Sequence, residues 1–173
     1  DVRNVSAETL GIGPYVVAAN IPYYITGEII RQFLTSPDQP RALALLVQKE
    51  VAQRAVSKKE SLLSLSLKAY STPRIAEKVP AKHFSPPPKV DSAILVIENV
   101  SKDFFSDITE EHFFRVAHAG FASKRKMVAN NLATVFGKDA SLAALSVAGV
   151  SEKARAEDIH VEAWKTITRA LVA

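Results

Sequence analysis

The chain has 173 residues, of which 47% are hydrophobic, and its 22 lysines and arginines exceed its 18 acidic residues by four. This length predicts one domain of ordinary size or one and a half small ones, and no apolar run approaches the roughly 20 residues of a membrane span. Without cysteine the chain forms no disulfide or thiolate metal site, which together with the lack of a secretory leader pattern predicts a cytoplasmic protein.

Two features of the sequence indicate how the chain is organised. The first residue is Asp1 and the only methionine is Met127, so we expect the chain to be the back part of a longer protein. All nine prolines lie at or before Pro88, and this shift in composition predicts a domain boundary near Asn99 to Asp103. We therefore expect an α/β domain over residues 1–101 and a helical domain over residues 102–173.

The first part alternates between short apolar runs and amphipathic segments. Tyr15–Ala19 and Arg41–Gln48 have the length and composition of buried strands. The helical pattern between them, with Thr26 as its N-cap, indicates a parallel sheet covered on both faces. The alternation in Leu62–Tyr70 predicts another strand, with a short helix as the alternative. One more helix and two more strands are predicted over Lys49–Val56, Arg74–Val79 and Ser92–Glu98.

The second part has helical periodicity throughout. Helices are predicted over Thr109–Phe121 and Ser123–Phe136, with Gly137 as the stop signal of the second helix. Two more helices, with Asp139 and Ser151 as their N-caps, and a last helix over His160–Val172 complete the prediction.

The stretch Asn20-Ile21-Pro22-Tyr23 directly follows the first predicted strand. Ligands of open α/β sheets bind just past the carboxyl ends of strands. Pro22 has no N–H and biases Ile21 away from helix, so we expect backbone carbonyls here to be free of sheet and helix hydrogen bonds. The Asn20 amide oxygen and one such carbonyl are then two acceptors beside the ring of Tyr23. This combination suits a planar amine such as the exocyclic N6 of adenine.

The lone pair of such an amine is delocalised into the ring, which makes the nitrogen a poor nucleophile. If acceptors hold both N–H bonds, the nitrogen is drawn toward tetrahedral geometry and its lone pair is directed at an electrophile. When the electrophile is a sulfonium methyl group, the displacement needs mainly positioning and charge accommodation, and no strong base. The alternative interpretation is a plain proline turn in which Asn20 satisfies the backbone.

Four stretches, "VVAANIPYYIT", "LLVQKEVAQRAVS", "HFSPPPKVDSAIL" and "GFASKRKMVANNL", carry a specific resemblance. In the same order they are similar to successive stretches of the ribosomal RNA adenine N6-dimethyltransferase family, over Asp1 to about Leu132. The resemblance implies the C-terminal half of a Rossmann-like, S-adenosylmethionine-dependent methyltransferase domain, followed by a small all-helical domain. It also implies that Leu62–Tyr70 is a helix, against its alternating pattern.

The resemblance also implies roles for single residues. Asn20, Pro22 and Tyr23 match the family's amine-holding motif, and Phe84 matches the aromatic residue that helps to hold a flipped adenine. Asp1 looks like the acidic residue that binds the adenine amine of S-adenosylmethionine, and Asn20 is implied to lie against the methionine end of that cofactor. The three prolines that follow Ser85 stiffen the loop of Phe84, which suits a pocket for an extruded base.

The chain departs from the family pattern in two places. The glycine-rich loop and the acidic residue for the cofactor ribose are expected upstream of Asp1, and Gly11-Ile12-Gly13 does not replace them because it precedes a strand. We interpret Gly11-Ile12-Gly13 as a turn and expect the chain alone to bind S-adenosylmethionine poorly. Tyr24 stands where many relatives carry Asn or Gln.

Cations are clustered in the second part, where the stretch from His112 to Asn131 holds four of them and no acidic residue. Such a cluster suits contacts to an RNA backbone, although it is also typical of a solvated helix face. The four histidines lack metal-binding spacing, so we expect no metal site. The expected RNA contacts are Lys89, Arg115, Lys124, Arg125 and Lys126.

The resemblance implies an enzyme that dimethylates N6 of two adjacent adenines near the 3′ end of small-subunit (16S) ribosomal RNA during ribosome biogenesis. We expect it to act as a monomer on the assembling 30S subunit, and we expect this chain alone to be inactive. Two alternatives stay open at this point. One is a 23S ribosomal RNA adenine N6-methyltransferase that confers antibiotic resistance, and the other is a non-catalytic RNA-binding assembly factor.

Overall fold

The computed structural model describes residues 13–172, and these divide into two compact units. The first unit holds the residues up to Val56 together with Ser66–Lys102. The second unit holds Ser57–Leu65 and the residues from Asp103 onward. The distribution of prolines does not predict that Ser57–Leu65, from the first half of the chain, belongs to the second unit.

A four-stranded mixed sheet forms the centre of the first unit, in the order β1-β2-β4-β3. Strand β1 is parallel to β2, whereas β4 is antiparallel to both β2 and β3. The predicted parallel arrangement is therefore confirmed for one pair of strands and wrong for the other two pairs. The strands are β1 (Val16–Asn20), β2 (Ala42–Gln48), β3 (Thr72–Val79) and β4 (Ser92–Glu98), and the helices are α1 (Thr26–Thr35), α2 (Lys49–Ala55) and α3 (Leu62–Tyr70). The first residues of α3, up to Leu65, belong to the second unit.

The core of the first unit comes from alternate residues of the two central strands. In β2 the side chains of Leu43, Leu45 and Val47 are buried, and those between them are only half-buried. Strand β4 has the same alternation, with Leu95 and Ile97 fully buried. Strands β2 and β4 therefore have one closely packed face, although their sequences are unbroken apolar runs. Antiparallel pairing by β4 does not require helices on both faces of the sheet.

Helix α1 buries one apolar stripe, but it begins differently from the prediction. Its N-cap is Ile25, whose side chain makes no capping bond, and Thr26 is the first helical residue. The Thr26 side chain is buried, and its hydroxyl has no hydrogen-bond partner in the part of the chain that the structure describes. The prediction that Thr26 caps the helix is wrong because the short 3₁₀ turn Tyr23–Ile25 leads straight into α1.

Helix α3 contradicts the strand that its alternating pattern predicts and confirms the helix that the family resemblance implies. Its first turn contains a reciprocal pair of capping hydrogen bonds. The backbone N–H of Ser64 donates to Ser61 Oγ over 3.2 Å, and the backbone N–H of Ser61 donates to Ser64 Oγ over 2.7 Å. This Ser-x-x-Ser spacing is the sequence signal that outweighs the alternation of leucine and serine.

The helices of the second unit are α4 (Glu110–Gly120), α5 (Val128–Phe136), α6 (Lys138–Val147) and α7 (Val161–Val172). Thr109 caps α4, because its side chain accepts a hydrogen bond from the backbone N–H of His112. Gly137 ends α5 as predicted, with a φ of 82° that side chains disfavour. None of the helices in the described part of the chain is long and apolar enough to cross a membrane.

Trp164 lies at the centre of the helical unit and is fully buried. Its indole ring stacks on the ring of Phe121 with centroids 5.5 Å apart. A side-chain carbon at Gly120 would lie only 2.2 Å from this indole, so the close approach of α4 and α7 requires glycine at this position.

Three predicted features of the helical unit are wrong. Helix α5 begins at Val128 instead of Ser123, because the buried Asn131 side chain donates to the carbonyls of Gly120 and Ser123, over 2.6 and 3.0 Å, and holds the intervening residues as a loop. Gly137 takes the N-cap position of α6 that the sequence assigns to Asp139. No helix begins at Ser151, whose side chain accepts from the backbone N–H of Lys153 in a turn.

Candidate active site

One edge of the sheet gathers three segments that are far apart in the sequence. Strands β1 and β2 end at this edge, at Asn20 and Gln48, and the antiparallel β4 begins there at Ser92. Because β3 is antiparallel to β4, the loop of residues 80–91 that joins them also lies at this edge. The fold therefore brings together the turn after β1, the start of α2 and the proline-rich loop.

The turn after β1 has the acceptors that the sequence predicts, with one correction. Asn20 ends the strand and is exposed. The carbonyl of Pro22 accepts a hydrogen bond of 3.2 Å from the backbone N–H of Ile25, so it is not free as predicted. No described residue donates to the carbonyl of Ile21. The main-chain acceptor available beside Asn20 is therefore that of Ile21.

The ring of Tyr23 is half-buried and anchored at its far end. Its phenolic oxygen lies 2.6 Å from the hydroxyl oxygen of Ser92, at the start of β4. Ser92 is itself fully buried. The neighbouring Tyr24 is 88% exposed, so only the first of the two tyrosines is held by packing and a hydrogen bond.

Phe84 lies in the proline-rich loop, next to a short 3₁₀ turn at Ala81–His83. The backbone N–H of Phe84 donates to the carbonyl of Ala81 over 3.2 Å. The backbone N–H of Ala81 donates in turn to the carboxylate of Asp91 over 3.1 Å. The ring of Phe84 is half-buried, and the Ser85–Pro86 bond is cis.

Asp91 ties this loop to the start of α2 as well. Its carboxylate is 3.4 Å from the Lys49 ammonium group, and its backbone carbonyl accepts from the backbone N–H of Lys49 over 3.0 Å. The bond from the Ala81 N–H, and then the Lys49 ammonium group, hold the pKa of the Asp91 carboxyl below its usual value. Asp91 is thus an ionised cross-link between two segments of the sheet edge.

Between the turn after β1 and the proline-rich loop lies a cavity of about 380 Å³, within the size range of small-ligand sites. The structure brings Asn20, Pro22, Tyr23 and Phe84 together around it, as the sequence predicts. An amide and backbone polar groups line one part and two aromatic rings with proline rings line the rest. The lining residues are Asn20, Ile21, Pro22, Tyr23, Phe84, Pro86 and Pro88.

The predicted RNA-binding residues are not among the residues that line the cavity. Lys89 is exposed in the proline-rich loop. In the helical unit Lys124, Arg125 and Lys126 are exposed in the loop between α4 and α5. Arg115, on α4, is also exposed, and its guanidinium lies 5.4 Å from the ring centroid of Phe136, so this cation makes a contact inside the unit.

Two predictions concern residues whose structure is not described. Asp1, the predicted cofactor-binding acid, and most of the Gly11-Ile12-Gly13 turn lie outside the described residues. Among the residues that are described, no group of three or more histidine or acidic side chains is arranged to hold a metal ion.

Ser92 and Lys49 lie next to the candidate site, and the sequence does not indicate their contacts with Tyr23 and Asp91. The contact between Ser92 and Tyr23 joins residues 69 positions apart, and no periodicity or spacing reports such a pair. Asp91 has a weak local signal, because an acidic residue after a proline-rich loop often satisfies backbone N–H groups in a turn. The sequence indicates Asp91 and Ser92 as turn-forming residues, but not their contacts with the loop of Phe84 and the ring of Tyr23.

Comparison with known proteins identifies the family. The family model described as ribosomal RNA adenine dimethylase matches residues 8–172. A protein of Dehalococcoides mccartyi named ribosomal RNA small subunit methyltransferase A is 40% identical over 171 residues, which cover 96% of this chain and 59% of that protein. A protein of the same name from Desulfitobacterium hafniense is 34% identical over 184 residues, covering 99% of this chain and 66% of its own length.

Solved structures agree in fold. The 23S rRNA methyltransferase ErmE superposes with a TM-score of 0.72 at 24% identity, covering 91% of this chain and 65% of its own. A dimethyladenosine transferase from Plasmodium falciparum superposes with a TM-score of 0.75 at 21% identity, covering 90% and 66%. The predicted fold class, part of an α/β methyltransferase domain followed by helices, is confirmed. The chain spans 59% of the Dehalococcoides mccartyi relative and 66% of the Desulfitobacterium hafniense relative. It belongs to the ribosomal RNA adenine dimethylase family.

Proposed function

We propose that the protein to which this chain belongs transfers methyl groups to N6 of two adjacent adenines near the 3′ end of small-subunit ribosomal RNA. The observation that carries the proposal is the cavity that Asn20, Tyr23 and Phe84 line together. Relatives named small subunit methyltransferase A support the choice of RNA. The 23S rRNA methyltransferase ErmE supports only the fold, because its identity to this chain is 24%.

In this proposal Asn20 and Ile21 hold the amine. The Asn20 side-chain oxygen and the Ile21 carbonyl accept the two N–H bonds of the adenine N6, which turns the nitrogen lone pair away from the ring. Tyr23 and Phe84 contact the faces of the extruded base, and stacking on aromatic rings compensates in part for the lost stacking in RNA. No general base is assigned, since the amine loses its proton only after the methyl group has been transferred.

The methyl donor is proposed to be S-adenosylmethionine, which supplies an electrophilic methyl group on sulfur. The described residues offer one group for its methionine end, the exposed side chain of Asn20 at the carboxyl edge of β1. Asp1 stays a proposed contact for the cofactor adenine. The exposed amide suits a charged amino-acid moiety, because it both donates and accepts hydrogen bonds.

The basic residues are proposed to hold the RNA backbone. Lys124, Arg125 and Lys126 are consecutive and exposed, so three phosphates are within reach of one loop. Arg115 and Lys89 are proposed as further phosphate contacts. We propose that the protein acts as a monomer, without a metal ion, on the assembling 30S subunit in the cytoplasm.

A methylation assay tests this function. The polypeptide is completed with the part of the Dehalococcoides mccartyi relative that this chain does not span, and is incubated with radiolabelled S-adenosylmethionine and undermethylated 30S or 50S particles. We expect label in N6 of adjacent adenines of the 30S RNA. Label confined to the 50S RNA would move the assignment to the large subunit, and the absence of label in both would overturn the proposal.

Replacement of the amide tests the chemistry. Asn20→Ala should lower kcat by about 10²-fold, the cost of removing one polar group that acts on the transition state. Gln53→Ala is the matched control, because it removes an exposed amide on α2 that does not line the cavity. Equal rates for the two variants would mean that Asn20 does not hold the amine.

A further inference from the structure

Two consecutive residues, Asp91 just before β4 and Ser92 at its start, hold the loop of Phe84 and the ring of Tyr23, which are the two aromatic walls of the cavity. Ser92 is fully buried, and its hydroxyl oxygen lies 2.6 Å from the phenolic oxygen of Tyr23. This distance lies within the normal range for a hydrogen bond between two hydroxyl groups. It fixes the far end of the Tyr23 side chain, whose near end is fixed by the turn after β1.

Asp91 reaches the other wall through the backbone. Its carboxylate accepts from the N–H of Ala81, and the carbonyl of Ala81 accepts from the N–H of Phe84. The ion pair with Lys49, 3.4 Å long, and the bond from the Lys49 N–H to the Asp91 carbonyl hold Asp91 itself. Phe84 is therefore two hydrogen bonds away from an anchored carboxylate.

The strand that begins at Ser92 is one of the two central strands of the sheet. Strand β4 is paired on both sides, and Ser92 has Gln48 of β2 and Val79 of β3 as its neighbours in register. Residues on such a strand move less than residues on loops, so a side chain anchored to it keeps its place. The two aromatic walls belong to a turn and a loop, and both depend on this strand for their position.

We propose that Asp91 and Ser92 are positioning residues that together set the placement of Tyr23 and Phe84 around the target base. The inference rests on the proposed function, and neither residue is proposed to touch the base or the methyl donor. Ser92 acts on the ring of Tyr23, and Asp91 acts on the loop of Phe84. Loss of either anchor misplaces one wall, and small misplacements of a bound substrate are costly in rate.

A double-mutant cycle tests the Ser92 anchor in the completed polypeptide. Ser92→Ala and Tyr23→Phe each remove one side of the same hydrogen bond and keep the ring. Each should lower kcat about tenfold with the KM for S-adenosylmethionine unchanged, and the double variant should be no slower than either single variant. Tyr15→Phe is the matched control, because it removes a phenolic hydroxyl that donates to the Asp38 carbonyl over 2.8 Å.

A graded pair of variants tests the Asp91 anchor. Asp91→Asn keeps an oxygen that can accept from the Ala81 N–H but loses the charge that faces Lys49. Asp91→Ala loses both contacts. We expect the Asn variant to recover most of the kcat that the Ala variant loses, because the bond to Ala81 is the one that leads to Phe84. Equal losses in the two variants would contradict this order of importance.

A spectroscopic measurement separates this inference from the proposed function. In protein labelled with 3-fluorotyrosine, the ¹⁹F resonance of residue 23, assigned by its loss in Tyr23→Phe, should shift in Ser92→Ala and stay in place in Tyr15→Phe. An unshifted resonance, or unchanged kcat despite a shift, would overturn the positioning role while methylation by the parent protein stands. A parent without methylation activity would overturn the proposed function, and the ¹⁹F result would still decide whether Ser92 holds Tyr23.

Discussion

The cavity at the sheet edge and the basic loop Ser123–Met127 differ in how they are built. The cavity takes residues from two segments that are far apart in the sequence, and partly buried hydrogen bonds tie these segments to Ser92 and Asp91. The basic loop is one continuous stretch with Lys124, Arg125 and Lys126 all exposed. This difference is what we expect if the cavity is a site for one base, which needs long-range support, and the loop contacts a polyanion, which needs only local charge on a held loop.

The largest expected effect comes from removing a wall of the cavity. Phe84→Ala should lower kcat by about 10²-fold, because the base loses a stacking partner worth roughly 1–3 kcal/mol and is held less well for attack. Binding of the RNA as a whole should change much less. The measurement is single-turnover methylation with RNA in excess, beside a filter-binding assay, and unchanged turnover would remove Phe84 from the site.

The next effect concerns the bonds that hold the basic loop. The Asn131 side chain is buried and donates to the carbonyls of Gly120 and Ser123. Asn131→Ala should lower the free energy of unfolding by about 1–3 kcal/mol, because two carbonyls lose their donor. Asn130→Ala, an exposed neighbour on the same helix, is the matched control and should change it by less than about 0.5 kcal/mol in urea denaturation.

A smaller effect on catalysis is expected from the charges of the loop itself. Replacing Lys124, Arg125 and Lys126 together by Ala should weaken RNA binding at least about tenfold at physiological salt and reduce the salt slope of log Kd by up to about 3. The kcat at saturating RNA should stay within about twofold of the parent. A salt slope equal to that of the parent would show that the loop is only a solvated surface.

The smallest effect is the pH dependence of the Asp91 anchor. The pKa of this carboxyl is lowered in the folded protein, so its contribution to stability is present above its usual value and is lost as the pH falls through the folded value. Asp91→Asn should therefore lower Tm at pH 7, and the difference from the parent should shrink below about pH 4. A difference that is constant with pH would mean that the charge plays no part.

The local motifs of the site can be predicted from the sequence, but the contacts between residues that are far apart in the chain cannot. Asn20, Pro22 and Tyr23 form one short motif that indicates a site by itself, whereas Phe84 was predicted through the resemblance to the family. The Ser92 anchor was not predictable, because it depends on β4 lying antiparallel between β2 and β3. Hydrophobic alternation cannot report the direction of a strand.

The errors in the helical unit have the same origin. The stretch from Ser123 to Met127 has helical periodicity, yet it is a loop. The reason is Asn131, a residue of the next helix, whose side chain donates hydrogen bonds to the carbonyls of Gly120 and Ser123. Similarly, Leu62–Tyr70 alternates like a strand, but its serine pair at positions 61 and 64 begins a helix. In each case a specific side-chain hydrogen bond outweighs the hydrophobic period.

The most direct test of the amine-holding cavity is a crystal structure of the completed polypeptide with an RNA fragment that contains the target adenosines. We predict an extruded adenine between Tyr23 and Phe84, with its N6 about 2.7–3.2 Å from the Asn20 side-chain oxygen and from the Ile21 carbonyl. An adenine bound elsewhere, with the cavity empty or filled by protein side chains, would contradict it.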